Sequence, residues 1–145
     1  LWFSTTMTPN WYPMILSKDF HNYPGNNNRV GYNIYLVQGS TVSAEVDVWI
    51  NGAGYGNSVT QSAIIDGSWH HIVQIRHGVA LSMYFDGVRI GDQPCTSGDI
   101  SNGQHLTLGK HSYNPGFDKL NGKIDDMRIY KRALSESDVL QLYNE

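Results

Sequence analysis

The sequence is poor in the features that mark several large classes of protein. Cys95 is the only cysteine among the 145 residues, so no disulfide can form within the chain and the redox compartment is not indicated. No apolar run approaches the roughly 18 to 20 residues that span a bilayer. Ten Lys and Arg residues against thirteen Asp and Glu leave a formal charge of −3, without a basic stripe. We therefore expect neither membrane insertion nor nucleic-acid binding.

Helical periodicity is also missing before residue 134. Instead, fifteen glycines and five prolines separate short runs of β-branched and aromatic residues. Since 40% of the residues are apolar, the chain can build one hydrophobic core. The sequence predicts a single all-β domain over residues 1–145, with two packed antiparallel sheets and one short helix at the C-terminus.

The clearest predicted element is a hairpin. Residues 81–85 alternate between apolar and polar, Asp86 and Gly87 tolerate a positive φ, and residues 88–90 resume the alternation. A helix should begin at Ser135, with Asp138 completing a capping box. Stretches 23–28, 51–57 and 111–117 are rich in turn formers and are predicted loops. The other predicted strands are 14–18, 32–37, 45–50, 62–65, 69–76, 106–108 and 123–130.

Three motifs occur in a fixed order: GSWHHIV at 67–73, LSMYFDG at 81–87 and LNGKIDDMRIYKRALS at 120–135. In order and spacing they resemble the laminin G-like branch of the concanavalin A-like lectin and glucanase superfamily, and the likeness extends over nearly the whole chain. The resemblance implies a jelly-roll sandwich, often with calcium, that binds glycans or serves adhesion in secreted and cell-surface proteins. It also implies a further N-terminal strand that this chain lacks, so we expect an edge open to a protein partner.

A candidate carbohydrate site lies in the strand at 45–50. Alternation places its valines and Ile50 on a core face, and Glu45, Asp47 and Trp49 on the opposite face. An aromatic ring beside carboxylate acceptors suits sugars, which present apolar ring faces and many hydroxyls. The alternative is a solvent-exposed face whose tryptophan packs beneath a loop. The predicted rim residues are Tyr55, Tyr113 and Asn114.

The same strand resembles half of the Glu-x-Asp-x-Glu motif of laminarinase-like glucanases, but Trp49 stands where the last acid would be. A retaining glycosidase needs two carboxyl groups about 5 to 5.5 Å apart, one as nucleophile and one as acid and base. Because the family pattern gives proton transfer to the missing acid, we predict binding without catalysis. A glycoside hydrolase is the least favoured reading.

Asp125 and Asp126 are the candidate calcium ligands, with Asp125 favoured by the resemblance. Paired carboxylates near backbone carbonyls suit a cation that takes six to eight oxygens. The alternative is that these acids form salt bridges with Arg128 or Arg132, or accept hydrogen bonds from loop amides.

The histidines are predicted to be structural rather than zinc ligands. Alternation sends His70 and His71 to opposite faces of one strand, so they cannot converge on a metal. We expect His71 on the core side with Trp69, Val73 and Ile75.

The aromatic residues in predicted loops have two interpretations: a contact surface for recognition, or staples that hold loops onto the sandwich. They are Trp11, Tyr12, Tyr23, Tyr55 and Tyr113. Taken together, the sequence favours a noncatalytic, lectin-like binding module of a larger extracellular or cell-surface protein. An adhesion or structural module that binds a protein partner is the alternative.

Overall fold

The structure, a computed structural model, describes residues 1–20, 28–114, 116 and 119–145. These residues form ten β-strands, one short 3-10 helix at Ser62–Ile65 and one α-helix. The strands are β1 (Trp2–Ser4), β2 (Met14–Phe20), β3 (Val30–Val37), β4 (Ser43–Ile50), β5 (Ala53–Thr60), β6 (His70–His77), β7 (Ala80–Phe85), β8 (Val88–Pro94), β9 (Thr107–Leu108) and β10 (Lys123–Asp125), and the helix is α1 (Glu136–Asn144).

The strands form two five-stranded antiparallel sheets packed face to face. Sheet I has the order β10-β1-β6-β7-β8, and sheet II has the order β5-β4-β3-β2-β9. The predicted all-β jelly-roll sandwich with a short C-terminal helix is therefore confirmed. No helix among the described residues is long and apolar enough to cross a membrane.

Alternating side chains from both sheets build the core. Val46 and Val48 of sheet II are 0% and 1% exposed, and Leu81 and Met83 of sheet I are fully buried. These residues belong to one continuous apolar cluster between the sheets. Burial of each such side chain stabilises the folded state by about 1.5 to 3 kcal/mol. The apolar face of each strand therefore points inward.

The predicted hairpin joins β7 to β8. Asp86 and Gly87 have φ values of 48° and 76°, as a two-residue turn of this kind requires. A Cβ on Gly87 would also lie 2.8 Å from the ring of Tyr143 in α1. Glycine therefore serves both the turn and the packing of the helix against it.

The helix α1 covers the side of sheet I that faces away from the core. The Ser135 hydroxyl accepts a hydrogen bond from the amide of Asp138, and the Ser135 amide donates one to the Asp138 carboxylate, so the predicted capping box is confirmed. Val139 is fully buried against Ile75 and Tyr84. We call this side of sheet I the helix-covered face.

Three predicted elements were wrong or too long. Residues 62–65 form a 3-10 helix instead of a strand, because a short apolar run carries no periodicity that separates the two. The strand predicted at 123–130 ends at Asp125, where Asp126 adopts a φ of 47°. The loop predicted at 51–57 contains most of the glycine-rich β5, which pairs with β4 along its whole length.

The histidine prediction was partly wrong. The side chains of His70 and His71 do point to opposite faces of sheet I. His71, however, contacts Trp2 and Tyr143 on the helix-covered face and does not face the core between the sheets. It is His70 that points inward, where it stacks on Phe85. Trp69 precedes β6 and is 44% exposed.

The two adjacent histidines owe their positions to the hairpin turn. His70 shares a hydrogen bond of 2.9 Å between its Nδ1 and the Asp86 carboxylate, whose other oxygen accepts the His71 amide at 2.8 Å. The motifs at 67–73 and 81–87 are thus joined by hydrogen bonds that hold β6 to the hairpin turn.

Candidate functional site

The side of sheet II that faces away from the core carries polar and aromatic residues, and we call it the outer face. Strand register places its side chains in rows. Trp49 lies between Gly31 and Gly54 on the neighbouring strands, and Asp47 lies next to Asn33. Glu45 lies next to Tyr35. The predicted separation of Glu45, Asp47 and Trp49 from the core is therefore observed.

Asp47 is held on both of its carboxylate oxygens. Asn33 donates to Oδ1 at 2.9 Å, and the Trp49 indole N–H donates to Oδ2 at 2.9 Å. Ser17 in turn donates to the Asn33 side-chain oxygen at 2.7 Å. The side chains of Ser17, Asn33 and Asp47 are all buried, so each needs its hydrogen-bond partner. These hydrogen bonds fix the orientation of the Asp47 carboxylate.

Arg29 joins this network to a second acid. Its Nε donates to Asp19 Oδ2 at 2.8 Å, and one terminal nitrogen lies 2.6 Å from the same oxygen and 4.0 Å from Asp47 Oδ2. The Asp19 side chain is fully buried. A single guanidinium therefore compensates buried negative charge on two strands.

The Trp49 indole lies between the sheet and Arg29. A Cβ on Gly54 would be 2.8 Å from the ring, so only glycine lets the indole lie this close to β5. The Arg29 guanidinium carbon is 4.0 Å from the ring centroid, a cation–π arrangement. Trp49 is only partly exposed. The indole is therefore one layer in a stack of glycine, indole and guanidinium, and is not the bare ring expected from the sequence.

Burial sets the ionisation of the outer face. It raises the pKa of Asp47 from 3.8 to about 6, although Arg29 and the hydrogen bonds from Trp49 and Asn33 act in the opposite direction. Burial also raises the pKa of the neighbouring Tyr35, which is near the carboxylates of Asp47 and Glu45. The phenol therefore keeps its proton as a hydrogen-bond donor, and Asp47 gains its charge only near neutral pH.

The segment after β9 borders the outer face at β2. His111 Nδ1 accepts the backbone amides of Tyr113 at 3.0 Å and Asn114 at 3.3 Å. In the neutral ring the proton is therefore on Nε2, which lies 3.7 Å from Asp19 Oδ2. Tyr113 and Asn114 thus lie beside the network and both are exposed, while their contact with a carbohydrate stays a prediction. Tyr23 and the continuation of this loop lie outside the described residues.

Tyr55 does not belong to the outer face, so its prediction as a rim residue was wrong. It pairs with Val48 on β4 and therefore shares the core side of the sheet. Its ring packs against the core cluster, and its hydroxyl donates to Thr96 Oγ1 at 3.2 Å.

The candidate calcium ligands lie at the exposed end of β10, away from the outer face. Asp125 accepts the backbone amide of Asp126 at 2.8 Å, and Asp126 lies 3.7 Å from Arg128. Within the described ranges, no group of three or more His, Cys, Asp or Glu side chains could hold a metal. Asp126 therefore makes an ion pair and Asp125 accepts a loop amide, the two contacts of the alternative interpretation, and calcium binding stays a prediction.

Several residues of the site were missed by sequence reasoning. Asn33 and Tyr35 were within reach, because they alternate with Ile34 and Leu36 in a predicted strand. Arg29 gave no signal, since its contacts depend on how three strands meet. The missed residues of the network are Ser17, Asp19, Arg29, Asn33 and Tyr35.

Comparison with known proteins agrees with this architecture. A laminin G-like family model, described as concanavalin A-like lectin/glucanases superfamily, matches residues 1–140. The CBM40 of an IT-sialidase from Ruminococcus gnavus has a similar structure, with a TM-score of 0.76 at 13% identity, covering 99% of this chain and 79% of that one.

A second solved structure, residues 221–444 of an S-layer domain-containing protein from Clostridium thermocellum ATCC 27405, matches with a TM-score of 0.48 at 24% identity. The match covers 94% of this chain but only 65% of that one. No curated protein sequence matches the chain.

Proposed function

Because the chain belongs to the concanavalin A-like lectin/glucanases superfamily, we propose that it is a noncatalytic carbohydrate-binding module of a larger extracellular or cell-surface protein. One observation carries the proposal: the outer face collects carboxylate, amide, phenol and indole groups on neighbouring strands, whereas α1 covers the opposite side of the sandwich. Sugar hydroxyls can bond to the carboxylates and the phenol, and the Arg29 guanidinium that covers the indole supplies further donors.

The network explains how a ligand could be bound without rearrangement. Asn33 and Trp49 fix the Asp47 carboxylate, and each of its oxygens retains a second lone pair for a sugar hydroxyl. Glu45, half-buried on the same face, supplies a further acceptor. Because these groups are oriented before the ligand arrives, little entropy is lost in ordering them.

Binding without catalysis fits the same geometry. A retaining hydrolase needs a carboxylate free to attack and a second one free to move a proton. Both oxygens of Asp47 are held by side-chain donors, and Trp49 occupies the strand position where the glucanase motif has its last acid. The name of the structurally similar CBM40 supports a binding module at the level of the fold.

The test is affinity electrophoresis in soluble β-glucan, mannan, xylan and galactan. Wild-type protein should be retarded by at least one of them, and Trp49→Ala and Glu45→Gln should each lose most of the retardation. Trp69→Ala is the matched control, since Trp69 is a partly exposed tryptophan at the start of sheet I. Thermal melting shows that each variant is folded. Retardation that survives both outer-face substitutions would remove this site from the proposal.

A second candidate, the adhesion module, is favoured by a groove beside β6. β1 pairs with β6 only as far as Ile72, and a groove of about 630 Å³ continues along β6 to His77. Its floor includes Leu16 and Ile34 of sheet II. An extended partner peptide with alternating apolar residues would fit as an added strand. Such a partner should protect the amides of Gln74 and Arg76, which point away from β7, from hydrogen exchange, and unchanged exchange at these two amides would count against this candidate.

A further inference from the structure

Trp11 combines a strained backbone conformation with an exposed side chain. It has a φ of 70°, in the left-handed region, and 73% of its surface is exposed. For a bulky residue this backbone conformation costs roughly 1 to 2 kcal/mol. Within the described part of the chain, no aromatic ring stacks on it, and most of the indole faces solvent. Strain kept at an exposed aromatic residue is typical of a recognition site.

The loop that carries Trp11 is anchored at both ends. Pro9 and Pro13 are both buried, and the carbonyl of Pro13 accepts the amide of Leu36 on β3 at 3.0 Å. The adjacent Tyr12 lies edge-on to Tyr35, with ring centroids 6.0 Å apart. Two aromatic residues are therefore presented to solvent between fixed points, which lowers the entropy lost on binding.

The loop stands at one end of the outer face. Tyr35, which Tyr12 contacts, lies on the same face as Glu45. Trp49 is opposite Gly31, four residues from Tyr35 along β3, which corresponds to about 13 Å at about 3.3 Å per residue. The carboxylates of Glu45 and Asp47 lie between these two aromatic ends.

We propose that Trp11 and Tyr12 are a second aromatic contact of the carbohydrate site, so that the ligand is an extended oligosaccharide lying along β3 and β4 from Trp49 to the Trp11 loop. This inference rests on the proposed function and adds the length of the ligand to it. A single sugar ring would touch only one end of the face. Several linked rings would touch both ends and place hydroxyls over the acids between them.

The experiment measures affinity for glucan, mannan, xylan and galactan oligosaccharides, each from monosaccharide to hexasaccharide, by isothermal titration calorimetry. Wild-type affinity should rise with chain length. Trp11→Asn, which tolerates a left-handed φ, should weaken hexasaccharide binding about tenfold, the loss expected of a dominant contact residue. It should leave the shortest ligand that binds unaffected and leave the melting temperature unchanged or higher, because the strain is relieved.

Two variants make the result specific. Trp11→Phe keeps an aromatic ring and should restore most of the affinity, while Trp69→Ala should have no effect at any chain length. Long-ligand affinity that is unchanged in Trp11→Asn would overturn the inference and leave the proposed function standing. A large loss of stability in Trp11→Asn would show that the residue is a staple. If no oligosaccharide of the four series binds, the proposed function and the inference fail together.

Discussion

The two sheets share one core but differ in what lies on their other sides. The helix-covered face is closed by apolar and aromatic contacts, with Val139 on Ile75 and Tyr84. The outer face instead buries Asp19, Asn33 and Asp47 around the Arg29 guanidinium. An apolar covering stabilises a sheet directly, whereas a buried ion pair contributes little net stability.

The difference separates a side of the domain that is closed by apolar packing from a side that keeps polar groups near its surface. Removing an apolar contact leaves a cavity with a moderate cost, but removing one partner of a buried charge network leaves the others uncompensated. The two faces should therefore respond differently to substitution, and only the outer face should change ligand binding when it is altered.

The largest expected effect is that of Arg29→Met. Without the guanidinium, the carboxylates of Asp19 and Asp47 stay buried with no cation beside them, which should lower the free energy of unfolding by about 3 to 5 kcal/mol at pH 7. Urea denaturation measures the change. The double variant Arg29→Met/Asp19→Asn should recover part of it, because one uncompensated charge is removed. A loss below about 1 kcal/mol for Arg29→Met would mean that the network is solvated like a surface pair.

Truncation on the helix-covered face should cost less. Val139→Ala deletes two methyl groups from a fully buried position and should lower the free energy of unfolding by about 2 kcal/mol. Leu140→Ala is the matched control, since Leu140 lies next to it but is 51% exposed, and it should change stability by less than about 0.5 kcal/mol. Neither variant should alter retardation in polysaccharide gels. A binding defect in Val139→Ala would show that the two faces are coupled and would break the comparison.

Much of the architecture could be predicted because it depends on local patterns. Period-two alternation separated Val46, Val48 and Ile50 from Glu45, Asp47 and Trp49, and turn chemistry located the hairpin at Asp86 and Gly87. The capping box at Ser135 was equally local. In each case, residues close in sequence determine the structure.

The rest depends on contacts between distant residues. Glycines predicted a loop at 51–57, yet Gly54 lies in a strand because it pairs with β4 and leaves room for the Trp49 ring. The same register turns Tyr55 toward the core, which alternation within a predicted loop could not reveal. The position of Arg29 over Trp49 requires β2, β3 and β4 to be assembled. The sequence therefore predicted the residues of β4 in the candidate site but not their partners on the neighbouring strands.

The last expected effect is a difference in pH dependence between the two faces. Burial raises the pKa of Asp47 to about 6, so its contribution to stability is present below pH 3.8 and is lost as pH rises through 6.

Burial lowers the pKa of His71 from 6.5 to about 4, so its contribution is complete above pH 6.5 and is lost as pH falls toward 4. Between pH 4 and 6.5 the two groups therefore act in opposite directions. Thermal melting of the variants across this range tests the difference. In Asp47→Asn, the melting temperature should no longer fall because of Asp47 as the pH is raised. In His71→Phe, which keeps a ring between Trp2 and Tyr143, the melting temperature should no longer fall because of His71 as the pH is lowered. If both variants shift the profile in the same direction, the two faces do not titrate independently, and the distinction between a stabilising side and a recognition side loses its electrostatic basis.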